Sequence, residues 1–110
     1  MLLGFATAIA ATLAGGVGMS CASGPDGGSV FRERCARCHG DSGRSDSVES
    51  RALKVRPLVG DAKLAQMAPA EIANAIKSDP KHHSMGALTD LDESALGAAA
   101  AYVKKIASER

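Results

Sequence analysis

Polar and apolar positions divide the 110-residue chain at Asp26, its first charged side chain. From Met1 to Met19 every residue is apolar or small, and Gly15, Gly16 and Gly18 interrupt the run just before Ser20 and Cys21. This pattern predicts an export signal over residues 1–22; an uncleaved membrane anchor is the competing reading, because no Lys or Arg is present there to orient insertion. Residues 23–28 are Gly-rich and predict a flexible tether. Beyond it the periodicity is helical. Ser29 is placed to cap a helix on which Phe31, Cys35 and Cys38 share one side while Arg32, Glu33 and Arg37 project elsewhere. Gly40 to Ser50 reads as a polar loop, Val55 to Gly60 as an extended turn, and Ala62 to Met67 as a short helical turn. A stronger helix opens at Pro69, with Glu71 in its first turn and Ile72, Ala75 and Ile76 on one side, and ends at Asp79-Pro80. Lys81 to Leu88 reads as a loop. The last helix begins near Asp90 to Asp92, with Glu93 set for a capping box from Asp90, and carries Leu96, Ala99, Val103 and Ile106 on one stripe. With no convincing strand and no internal repeat, residues 29–110 predict one all-α domain.

Within that pattern the chemistry is concentrated in Cys35-Ala36-Arg37-Cys38-His39. Two thiols three apart followed at once by an imidazole form the covalent haem-attachment pattern. One helical turn brings Cys35 and Cys38 to the same side, where their thiols add across the two haem vinyl groups as thioethers, and His39 then lies under the porphyrin as an axial iron ligand. A redox dithiol would require a βαβ setting and a zinc site a second ligand pair, and neither is present in the sequence. The cofactor expected is a single covalent haem c with its iron.

Composition makes the haem a structural requirement as well. After the export signal the aromatic residues are Phe31 and Tyr102 alone, so a small domain gains from the macrocycle the buried apolar area that its side chains lack. The 13 basic and 12 acidic side chains all lie from Asp26 onward, and this balance excludes a nucleic-acid partner. Residues 31–63 carry a basic bias, which reads either as a solvated face or as a surface steering a redox partner. Cys21 is the odd thiol once Cys35 and Cys38 are committed. Two readings stay open: acylation of Cys21 as a bacterial lipoprotein, giving membrane attachment, or cleavage after Ala22, releasing a soluble protein.

From Gly27 to Ile106 the chain resembles a class I c-type cytochrome, the small monohaem electron carriers of bacteria. The residues that carry the resemblance are, in order, Gly27, Gly28, Phe31 and the Cys35–His39 motif, then Pro57-Leu58, Met85, Leu91, Asp92 with Glu93, and Tyr102. The resemblance implies a cytochrome c-like fold of three main helices wrapped around one haem. It implies Met85 as the second axial ligand, a Pro57 carbonyl accepting a hydrogen bond from His39, and Leu58 covering a haem edge. One departure is Gly86, where the family usually has proline after the ligand. His82 and His83 stand close enough in the chain to compete with Met85 for the iron. The function implied is periplasmic one-electron transfer by a protein that is not an enzyme. Its partners would be a quinol-oxidising complex or dehydrogenase upstream and a terminal oxidase, reductase or peroxidase downstream. Two alternatives remain: a five-coordinate or ligand-switching haem that binds a small gas or reduces peroxide, with His82 or His83 as distal base, and a subunit of a larger oxidoreductase.

Overall fold

The computed structural model describes residues 24–109 and, apart from them, Gly4. The expected export signal over residues 1–22, including Cys21, thus lies outside the described residues. Among those described there are seven helices and no strand: α1 (Gly27–Arg34), α2 (Ala36–His39), α3 (Val48–Ala52), α4 (Ala62–Gln66), α5 (Pro69–Ser78), α6 (Pro80–Ser84) and α7 (Glu93–Ala107). The all-α architecture is as expected, and α1, α5 and α7 are its three longest members. No helix among the described residues is long and apolar enough to cross a membrane.

The predicted stripe of α7 becomes the centre of the core. Leu96, Ala99, Ala100, Val103 and Ile106 are buried on it, packed with Phe31 of α1 and with Ile72 and Ala73 of α5. Small residues let α1 and α7 cross closely: a Cβ at Gly27 would collide with the Ala98 carbonyl oxygen and stand 2.9 Å from its carbon. The fully buried Phe31 ring meets Tyr102 at this crossing, with centroids 5.3 Å apart. Lys104 of α7 donates from Nζ to the carbonyls of Ala65 (2.8 Å) and Met67 (2.7 Å), which are left open at the end of α4.

Four local details differ from the sequence reading, each for a reason of hydrogen bonding. Helix α1 begins inside the expected tether, because Asp26 rather than Ser29 is its cap: Asp26 Oδ2 accepts from the Ser29 amide at 3.1 Å and its hydroxyl at 2.8 Å. Helix α3 forms inside the expected polar loop, capped by Ser47, whose Oγ accepts from Ser50 N–H at 3.0 Å. Helix α6 lies where a loop was expected, since Pro80, which ends α5, also suits the first position of a new helix whose cap is Asp79 Oδ1, accepting from Lys81 N–H at 2.9 Å. Helix α7 is capped by Asp92, whose Oδ1 accepts from Ala95 N–H at 2.7 Å, whereas Asp90 takes a left-handed φ of 58° and no capping box runs from it.

Candidate functional site

The Cys35–His39 motif is continuous with α1. Cys35 ends α1 by donating its N–H to the Phe31 carbonyl (2.8 Å) and opens α2 by accepting from His39 N–H (2.9 Å). Cys35, Cys38 and His39 therefore share one turn, and both thiols are free and half-buried. Gly40 stops the turn at a φ of 81°, a left-handed conformation in which any Cβ would also strike the Asp46 carboxylate. The chain then folds back over the open carbonyls of α2. Ser45 N–H donates to the His39 carbonyl (2.8 Å), Ser47 Oγ to that of Arg37 (2.9 Å) and Ser50 Oγ to that of Cys38 (2.5 Å). Ser50, the buried polar residue of this clamp, is not legible in the sequence because a five-residue helix at the end of a Ser-rich segment carries no periodic signal.

The electrostatics of the turn favour an apolar ligand over thiolate chemistry. Burial, aided by the neighbouring Cys38, pushes the Cys35 thiol up from 9.0 to about 11, so it is protonated at neutral pH. Redox-active thiols are shifted the opposite way. No group of three or more His, Cys, Asp or Glu among the described residues could hold a metal ion unaided. His39 has its Nδ1 buried without a hydrogen-bond partner, and burial first and His82 second lower its pKa below 6.5. The ring is thus neutral, the form that ligates a metal, and Nε2 is the nitrogen left to do so. Leu58, Val59, Leu64, Met67, Ile76 and Leu88 pack against the core yet remain only half-covered, which leaves apolar surface for a flat macrocycle. Free thiols, a neutral imidazole and this surface together fit haem.

The other anticipated residues are placed unequally. Leu58 is half-buried against the core, but Pro57 is exposed, and the bond expected from His39 to its carbonyl is not formed. The reason is the anchoring of that segment, for Leu58 and Val59 donate their N–H groups to the Gly43 carbonyl at 2.8 and 3.2 Å. Met85 caps the end of α6 with 47% of its surface exposed, and Gly86 follows at a φ of 68°, a value proline cannot adopt. Two rings stand beside His39: that of Phe31, with centroids 6.5 Å apart and planes inclined at 40°, and that of His82, at 6.3 Å and 45°. His82 Nδ1 is bonded to the Ile76 carbonyl at 2.8 Å, while His83, exposed, turns its Nε2 to the Lys77 carbonyl. Arg34, which sequence reading counted only as a basic charge, ties α1 to this corner by donating to the Thr89 carbonyl at 2.6 Å.

The family described as cytochrome C oxidase, cbb3-type, subunit III, matches residues 22–103, a span that includes all of α1 to α6 and most of α7. No curated protein and no solved structure matches the chain. With the helical fold and the haem-compatible turn in place, the chain belongs to this family of c-type cytochrome domains, whose cofactor is covalently bound haem c and whose chemistry is electron transfer.

Proposed function

We infer that the protein is an exported, periplasmic one-electron carrier in which Cys35 and Cys38 hold haem c and His39 is the first axial ligand. The observation that carries this reading is the single turn on which two free, half-buried thiols stand beside a neutral, half-buried imidazole. Haem c, when bound, supplies an iron that gains and loses one electron. The chain's part is to hold, insulate and dock. The thioethers from Cys35 and Cys38 fix one edge of the group, and the half-covered Leu58, Leu64, Met67 and Leu88 keep water from it. His82 and Met85, both on the α6 corner, are the residues available for the second axial position. With both positions filled, little rearrangement opposes electron transfer and no substrate site is required. The exposed Arg37, Arg44 and Arg51 near the motif suit an acidic redox partner, either a quinol-oxidising complex or dehydrogenase delivering electrons or an oxidase, reductase or peroxidase accepting them. Export is supported by the apolar run before Asp26, and Cys21 provides for membrane attachment if it is acylated.

A second reading, a fixed seat in a larger oxidase, is favoured by the family's description and by two exposed apolar residues flanking the motif on the α3 side, Val48 (76% exposed) and Leu53 (47%). A redox titration of the haem-loaded protein separates the readings when combined with purification from its native membrane. A carrier shows a reversible one-electron transition, no spectral response to carbon monoxide, and purification as a free chain. A stable complex on purification supports the oxidase subunit, and a carbon monoxide shift in the wild type overturns the six-coordinate carrier.

A further inference from the structure

Helix α3 turns one side to the motif and the other to solvent. Ser50, its buried residue, points inward and donates from Oγ to the Cys38 carbonyl at 2.5 Å, and the capping Ser47 Oγ donates to the Arg37 carbonyl at 2.9 Å. At about 100° per residue, Val48 and Ala52 stand on the side opposite Ser50. Val48 is 76% exposed, Leu53 at the helix end is 47% exposed, and Ala52 is exposed between them. Single exposed apolar side chains are ordinary on a protein surface and would mean little alone. Two further observations distinguish this face. Val48 and Leu53 lie outside the half-covered apolar set that fits the macrocycle, so haem does not account for them. The rim also carries charge of one sign. Arg51, Lys54 and Arg56 are exposed and form no ion pair among the described residues, whereas Glu49, the only acid from Ser47 to Pro57, is paired with Arg37 at 3.9 Å.

We propose that this outward face of α3 docks a redox protein whose contact surface is a small apolar patch rimmed by carboxylates. Unpaired cations around an apolar centre call for that complement, and they steer such a partner as it approaches. Size selects the kind of partner. Helix α3 has five residues and is about 7.5 Å long, so it serves an encounter at the low end of interface size, below about 1,200 Å² in total. A stable dimer or a permanent subunit seat buries about 2,000 Å² or more. Membrane surfaces are taken up by longer amphipathic helices, many of about 20–30 residues. Docked on α3, the partner lies one hydrogen bond, Ser50 to Cys38, from the backbone of the motif. The proposal rests on the electron-carrier reading above and names the contact chemistry of its partner.

The test places the haem-loaded full chain on gold coated with a mixed monolayer of carboxylate- and methyl-terminated alkanethiols, which reproduces the partner's chemistry. Adsorbed mass is read by quartz crystal microbalance and electron exchange by voltammetry. Wild type binds this surface more tightly than a pure carboxylate one. Arg51→Glu with Lys54→Glu lowers adsorbed mass and exchange rate by about tenfold or more, while the same charge change on α4 and α7, Lys63→Glu with Lys105→Glu, has less than about a twofold effect. Val48→Ser with Leu53→Ser removes the advantage of the mixed surface and leaves binding to pure carboxylate unchanged. All variants keep the visible spectrum and midpoint potential of the wild type. Equal loss from the two charge pairs, or a mixed surface no better than pure carboxylate, overturns the proposal. A wild-type dimer that Val48→Ser breaks also overturns it and assigns the face to a second copy. Equal adsorption on phosphatidylglycerol vesicles, with the same dependence on Val48 and Leu53, overturns it in favour of a membrane. A wild type that adsorbs as expected but carries no covalent haem overturns the electron-carrier reading and leaves the docking chemistry standing.

Discussion

On the Cys35–His39 side of the candidate site, the carbonyls of Arg37, Cys38 and His39 are all bonded by groups from residues 45–50. The opposite side, from Pro80 to Asp90, is a five-residue helix with no buried residue, followed by turns. It is held by the Asp79 cap, by two histidines bonded to carbonyls at the end of α5, and by Arg34 reaching Thr89 from α1. The first side is thus closed by α3 and the loop leading into it, and the second is held by the end of α5 and by one long-range bond from α1. Few buried apolar contacts and exposed backbone bonds make the second side the first to open. The two thiols and the imidazole of the motif therefore sit on the part of the fold least able to change, and His82, His83 and Met85 on the part most able to.

The largest expected effect comes from removing the fixed side's chemistry. Replacing Cys35 and Cys38 together with Ala abolishes covalent haem on a denaturing gel and, because residues 24–109 have so few large apolar side chains, most of the helical circular dichroism signal with it. Full haem staining in that variant would break the assignment. Gly27→Ala strikes the frame beneath both sides, driving a methyl into the Ala98 carbonyl, and costs about 1–3 kcal/mol of unfolding free energy in a denaturant titration. Ser50→Ala leaves the Cys38 carbonyl without its partner, at a cost of about 1–2 kcal/mol. In hydrogen exchange it loosens the His39 and Gly40 amides and leaves Lys81 to Gly86 as they were; equal loosening on both sides would erase the contrast. Asp79→Ala does the reverse, with a loss of about 0.5–1 kcal/mol confined to the α6 corner.

Acid gives the smallest effect. Hydrogen bonds from the Ser29 hydroxyl, and then the Ser29 amide, hold the Asp26 carboxyl below its ordinary 3.8. The folded chain therefore binds that proton more weakly than the unfolded one, so the contribution of the cap is complete above 3.8 and is lost as pH falls below it. Loss of protection at the Ser29 amide over that range, with the α6 corner unaffected, is the measurable sign.

The parts of the molecule that can be read along the chain are those whose cause is local. The haem motif needs five adjacent residues, the α7 stripe needs only its own period, and the start of α5 is marked by Pro69 with Glu71, whose carboxylate accepts from Ala68 N–H at 3.2 Å. The crossing of α1 and α7 is legible as well, because Gly27, Phe31 and Tyr102 combine missing bulk with aromatic surface. Cap choice is not. Asp26 or Ser29, and Asp90 or Asp92, are neighbours of similar chemistry, and which one caps depends on where extended backbone gives way to helix: Asp26 and Asp92 are extended, Ser29 is already helical and Asp90 is left-handed. The Lys81–Ser84 stretch is polar throughout and has no period, so α6 is invisible until Asp79 and Pro80 are seen to start a helix as well as end one.

By itself the sequence determined the class of this protein: an all-α domain with a covalent haem c, because attachment requires thiols and an imidazole at a spacing that one helical turn satisfies. Tertiary structure alone decided what stands opposite. His82, His83 and Met85 lie within four residues of one another, each able to bind iron, and nothing in their order distinguishes them. The carbonyls of Ile76 and Lys77 separate the two histidines, each accepting one ring nitrogen, and it is the His82 ring that stands 6.3 Å from that of His39. Which side chain stands beside the motif is a matter of direction in space, and direction here is set by backbone acceptors on a different helix.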